Sequence, residues 1–140
     1  RGSKPLNGLM LQGIYLQGVD PRSDFALALR EGLEDAGVSV KRVEKDAPTI
    51  LNITNFKENR SVSGYSSTRQ VREFAHSINV DFRVKTLAHP EGLERSVNVE
   101  RSQVYDGEYV LGTTEEENIS KEELRREAVR LILLRLQAIK

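Results

Sequence analysis

Between residues 73 and 84 the chain alternates: Phe74, His76, Ile78, Val80, Phe82 and Val84 fall on one side of an extended backbone, and Glu73, Ser77, Asn79, Asp81 and Arg83 fall on the other. A period of two marks a strand with one buried face, so the fold cannot be all-helical. The apolar side must be covered by a second layer, while the polar side can meet water or a polar partner. At 140 residues, 38% of them hydrophobic, the chain has the length for one core that buries roughly two thirds of its unfolded surface.

The other segments supply the cover. Leu9 to Val19, with Met10, Ile14 and Leu16 between Gly13 and Gly18, is expected as a first strand. Ser23 is a suitable N-cap, Asp24 suits a helix N-terminus, and Phe25, Leu29, Leu33 and Ala36 recur at helical spacing before Gly37, which predicts a helix over 24–36. Val38-Ser39-Val40 begins a second strand, which polar residues 44–46 interrupt and the β-branched run 49–57 resumes. A Ser-rich hairpin with Gly64 leads into the alternating strand, and His89-Pro90-Glu91-Gly92 turns the chain into a fourth strand over 96–105. There Val97 and Val99 are out of phase with Val104, a mismatch that a β-bulge would correct.

The last element carries the most local signals. Ser120 and Glu123 match a capping box, Ile119 and Leu124 a hydrophobic staple, and Arg130, Arg135 and Lys140 follow where the helix dipole favours cations, which predicts a helix over 121–138. Residues 128–136 are apolar around more than a core-facing stripe, so this helix either touches the first helix as well as the sheet or offers a second surface to a partner, with Leu131, Leu134 and Arg135 as candidate docking residues. The order β-α-β-β-β-α gives an α+β two-layer sandwich: a four-stranded mixed sheet with two helices on one face. The first two strands should be parallel through a right-handed crossover and the later hairpins antiparallel. Residues 1–8 are expected as a flexible lead-in and 9–140 as a single domain; the opening Arg1-Gly2-Ser3 lacks an initiator Met and leaves any targeting segment open.

Charge and motif content narrow the chemistry. Lys plus Arg number 21 and so do Asp plus Glu, so the long-range field of a general nucleic-acid binder is missing. The absence of cysteine excludes disulfides, thiolate metal sites and a Cys nucleophile. Of the two histidines, His76 lies in the apolar stripe and is expected as a packed, hydrogen-bonded core residue, and His89 lies in a turn before Pro90. Ser61, Ser63, Ser66 and Ser67 lack the strand-turn-helix setting of a hydrolase elbow, and neither a phosphate loop nor a dinucleotide fingerprint is present. The run Glu115-Glu116-Glu117 is expected to serve a helix dipole or stay solvated. The cations Lys57, Arg60, Arg69 and Arg72 around Tyr65 gather at the hairpin, where Arg side chains could grip an anion bidentately.

Four stretches in order carry a family resemblance: Asp20-Pro21 with the helix to Leu33 and Gly37-Val38; Ser61-Val62-Ser63-Gly64-Tyr65 with Arg72-Glu73-Phe74; Tyr105-Asp106 with Val110-Leu111-Gly112; and Glu122 to Glu127 continuing to Leu134-Arg135-Leu136. From Leu9 onward the chain resembles the LptE family, also called rare lipoprotein B, of Gram-negative outer membranes. The resemblance implies a non-enzymatic lipoprotein without cofactor, held at the periplasmic side of the outer membrane by an N-terminal lipid. It further implies a plug within the LptD β-barrel that assists barrel assembly and contacts lipopolysaccharide, with no nucleic acid as partner. Where some members carry basic residues after the fourth strand, this chain has Thr113, Thr114 and acidic residues, which leaves Arg60, Tyr65, Arg69 and Arg72 as lipopolysaccharide candidates. The alternative from another class is a small RNA-binding or other interaction module, or a minor enzyme, using its exposed sheet face; RNA-binding faces display aromatic residues, whereas Phe74 and Phe82 share the apolar stripe.

Overall fold

The alternating segment forms most of β4 (Val71–Lys85), paired along both edges in a computed structural model that describes residues 6–65, 71–104 and 110–139. Ile78, Val80, Phe82 and Val84 are at most 1% exposed, as the period requires. Its antiparallel neighbours are β3 (Thr49–Tyr65) and β5 (Leu93–Val104), and β1 (Ile14–Gln17) lies parallel to β3 on the far side.

The sheet has five strands in the order β2-β1-β3-β4-β5, one more than expected, because the segment expected as a single second strand is divided. Its first part is β2 (Val40–Lys41), parallel to one edge of β1, and its second part is β3 on the other edge. A 3-10 turn at Glu44–Asp46 lies in the connection. A parallel return is normally long; a strand of only two residues leaves little distance to climb back, so 42–48 suffices.

The chain forms α1 (Gly8–Gln12) where a strand was expected from Leu9, since Asn7 Oδ1 accepts the Met10 amide at 2.9 Å and starts a helical turn. Leu6 is buried beside Met10 in the core, so packing reaches further toward the N-terminus than position 9. The next helix, α2 (Asp24–Asp35), has the expected cap: Ser23 Oγ accepts the Ala26 amide at 3.1 Å. Gly37, at φ +93°, ends it while the Val38 amide reaches back to the Leu33 carbonyl at 2.9 Å, the paired bonding of a Schellman turn.

The largest departure is α3 (Val110–Gln137), 28 residues long, which begins about two fifths of its length before the expected start. Ser120 is therefore an interior residue, 6% exposed, rather than a cap, and Ile119 is 52% exposed, so no staple forms with Leu124. A second correction concerns the bulge. The β4–β5 register runs unbroken from Glu73↔Val104 to Val84↔Leu93, and Val104 simply takes the position opposite Glu73. Irregularities lie instead in the β3–β4 pairing, and the one between Ile53 and Asn55 shifts the helix-facing positions of β3 from Leu51 and Ile53 to Phe56, Glu58 and Arg60. Helices α2 and α3 cover this face, with Phe25 of α2 stacked on Phe56 of β3 at a centroid separation of 4.4 Å.

Candidate functional site

Beyond the apolar core, the covered face of the sheet becomes ionic. Arg60 of β3, His76 of β4 and Arg101 of β5 are neighbours in one rung. Helix α3 lays Glu117, in its early extension, and Glu123 over them: Arg60 Nε lies 2.6 Å from Glu117 Oε2, and Arg101 Nη1 donates to Glu123 Oε1 at 2.6 Å. The Arg60 guanidinium also sits 3.8 Å from the centroid of the Phe74 ring, a cation–π arrangement. One turn along α3, Arg125 donates from Nε to Glu58 Oε2 at 3.0 Å and reaches Asp24 of α2 at 3.7 Å. A polar seam thus ties the outer half of the hairpin to both helices.

His76 is the buried member of this seam, 3% exposed. Its Nε2 lies 3.4 Å from Glu117 Oε2 but has no hydrogen-bond partner, and the buried Ser120 Oγ nearby in sequence to Glu117 has none either. The expectation of a packed histidine holds; the expectation that it is hydrogen-bonded does not hold at Nε2. Burial holds its pKa below the ordinary 6.5, opposed by the Glu117 charge and reinforced by Lys121 and Arg60.

Of the hairpin cations, the two whose side chains are described, Arg60 and Lys57, fall on opposite faces of the sheet. Arg60 faces α3 through Glu117, whereas Lys57, opposite Asn79, belongs to the uncovered face. Arg69 lies outside the described residues, as do the side chains of Tyr65 and Arg72. On α3, contact with α2 accounts for much of the apolar excess: a Cβ on Gly32 would lie 2.5 Å from Val129 Cγ1 and 3.6 Å from Leu133 Cδ1. Of the candidate docking residues, Leu131 is half-buried against the core, while Leu134, 39% exposed, and Arg135 face outward.

The face without helices is made of successive rungs: Asn52, Arg83, Glu94; Asn55, Asp81, Ser96; Lys57, Asn79, Asn98; and Asn59, Ser77, Glu100. Asp81 accepts from Ser96 Oγ at 2.7 Å and from Asn55 Nδ2 at 3.4 Å, and Arg83 is paired with Glu94. These bonds tie two of the four rungs; the others present Lys57, Asn79, Asn98, Asn59, Ser77 and Glu100 as a polar surface with little net charge, and the next rung toward β1 adds Tyr15, Ile50 and Lys85 on the same face. Among the described residues, no group of three His, Asp or Glu side chains could hold a metal ion, and no helix is long and apolar enough to cross a membrane.

The ionic seam was missed from the sequence. Its trace is there, since Glu58 and Arg60 continue from Phe56, and Arg101 continues from Val97 and Val99, at steps of two. Without the shift between Ile53 and Asn55, the first series could not be placed on the same face as Leu51.

In class, this is an α+β domain with one mixed sheet, helices on one face and a bare polar face opposite. The chain belongs to the LptE lipopolysaccharide-assembly family, whose model matches residues 11–136. The same fold occurs in the rare lipoprotein B of Shewanella oneidensis, with a TM-score of 0.72 at 21% identity over 86% of this chain and 90% of that one. A minor lipoprotein of Acinetobacter baumannii is similar at a TM-score of 0.72 and 17% identity, over 91% of this chain and 92% of that one. Lipoprotein B of Nitrosomonas europaea reaches a TM-score of 0.76 at 17% identity over 95% of this chain and 89% of that one. Among curated proteins none matches by sequence.

Proposed function

We propose that this chain is a non-catalytic envelope lipoprotein that acts at the outer membrane as the plug of the LptD β-barrel, supporting assembly of the barrel and passage of lipopolysaccharide. The observation that carries the reading is the bare sheet face, whose Asn and Ser rungs suit the polar interior wall of a wide barrel, in a chain of a lipopolysaccharide-assembly family. Leu134 and Arg135 on the opposite side give a plug a second contact with its surroundings. An RNA-binding use of the sheet would call for aromatic platforms, and the rungs supply Asn and Ser instead.

A photo-cross-linking residue at Asn79, in the centre of the bare face, is expected to capture LptD in cells; capture only of unrelated proteins would remove the sheet face from the reading. Lipopolysaccharide contact is assigned to Arg60, Arg69 and Arg72 with Tyr65. Substituting the three arginines by alanine should weaken lipopolysaccharide binding and remove its salt sensitivity. Unchanged binding would move the contact elsewhere. Because Arg60 is already held by Glu117 and Phe74, Arg60→Ala alone should cost less than the triple substitution.

A further inference from the structure

A cavity of about 430 Å³ opens at the sheet margin where β1, β2 and α2 meet, at the end of the molecule that the hairpin does not reach. Its origin is the short β2. That strand pairs with β1 only at Ile14↔Val40 and Tyr15↔Lys41, while β1 continues along β3 to Gln17↔Asn52, so past Tyr15 one edge of β1 is uncovered. Leu16, Val19, Pro21 and Val40 form the apolar part of the notch.

Its polar part is cationic. Arg30 from α2, with Lys41 and Arg42 from the end of β2, line the cavity, and no carboxylate does, although the charges of the whole chain balance at 21 and 21. Among the described residues these three cations form no ion pair, whereas Arg60, Arg83, Arg101, Arg125, Arg126 and Arg130 each do. Arg30 and Lys41 are half-buried, which limits the water available to solvate them. The stem of Lys41 runs back over the bare backbone of Gly13, where a Cβ would lie 2.9 Å from Lys41 Cε, so Lys41 adds charge at the rim while Arg30 and Arg42 face the notch. Like charges gathered without a counter-charge raise the local potential, and an oxyanion relieves it. A phosphate monoester suits this set: it carries close to two negative charges and three acceptor oxygens, and a guanidinium can bind two of them at once.

We propose that this notch is a binding site for a phosphate monoester carried on a small apolar body, with Arg30 and Arg42 on the phosphate and Leu16, Val19, Pro21 and Val40 around the apolar part. The site lies at the β1 edge of the sheet, away from the hairpin tip and the central rungs, and its test does not depend on the LptD reading.

The test is an amide NMR titration of the chain with dihexanoyl phosphatidic acid below its micelle concentration, with inorganic phosphate and dihexanoyl phosphatidylcholine as comparison probes. Phosphatidic acid is expected to shift the amides of Leu16, Gln17, Gly18 and Arg42 saturably, inorganic phosphate to shift the same amides more weakly, and phosphatidylcholine to bind at least about tenfold less tightly. The double variant Arg30→Ala, Arg42→Ala should bind phosphatidic acid roughly a hundredfold less tightly, with the dispersion of its remaining amides unchanged. Equal affinity for inorganic phosphate and phosphatidic acid would overturn the apolar half of the proposal. Absence of saturable shifts at these amides, or undiminished binding by the folded double variant, would overturn the site itself.

Discussion

Burial sets the protonation of His76, and protonation therefore enters the stability of the fold. Its folded-state pKa lies below the ordinary 6.5, chiefly because burial disfavours the charged ring. The unfolded chain then binds the proton more readily, so the neutral histidine's contribution is fully present above 6.5 and is lost as pH falls below it. Glu127, lowered from 4.5 by its hydrogen bond to Arg130, contributes with the same sign but in a more acidic window, and its exposure makes that contribution small. Urea melts should show the midpoint falling between about pH 7.5 and about pH 5.5, with a shallower fall in His76→Gln. A slope that the substitution leaves unchanged would place the titrating group elsewhere.

At the scale of elements, the decisive event is the early start of α3. A local capping box lost to a tertiary ion pair: Glu117 finds Arg60 on the hairpin, and Ser120 becomes an interior residue with a buried hydroxyl lacking a partner. Ser120→Ala should accordingly leave stability level or raise it by up to about 1 kcal/mol, since alanine favours a helix interior and removes an unsatisfied group. A loss of about 1 kcal/mol, the usual cost of removing an N-cap, would restore the shorter helix. The α2–α3 contact has its own test at Gly32. Alanine there ordinarily adds up to about 1 kcal/mol within a helix, but its Cβ would collide with Val129, and the net effect should be a loss of about 1–3 kcal/mol in urea melts. Adding Val129→Ala should recover part of it, whereas losses that simply add would contradict the close approach.

The period of β4 and the caps of α2 were legible in advance, whereas the capping box at Ser120 was not a cap. The alternation of β4 and the Ser23 and Gly37 signals of α2 depend on neighbours in sequence, and both elements formed as expected. The splitting of the second strand and the displaced bulge were hidden, because each depends on which strand lies alongside rather than on local preference. The candidate site followed the same division. The apolar excess of residues 128–136 named Leu131, Leu134 and Arg135 together and did not separate the half-buried Leu131 from the outward Leu134 and Arg135; the engagement of Arg60 by Glu117 joins residues 57 positions apart and left only a parity trace in β3.

The whole molecule leaves one broad surface without helical cover. Its central rungs are polar, rich in Asn and Ser and nearly neutral, unlike the charged or aromatic platforms that bind nucleic acids, and the chain carries no net formal charge to draw polyanions from a distance. Such a surface gains stability from a partner that matches its hydrogen-bonding groups over a wide area, as the inside of a large barrel can. The measurement that tests this most directly is co-expression of the full-length lipoprotein with LptD from the same bacterium, followed by purification through a tag on LptD and determination of the ratio of the two chains. The expected result is a one-to-one complex that survives detergent and salt and loosens when Asn79 and Asn98 are replaced by glutamate. Recovery of folded LptD without this chain would contradict the assignment as its plug.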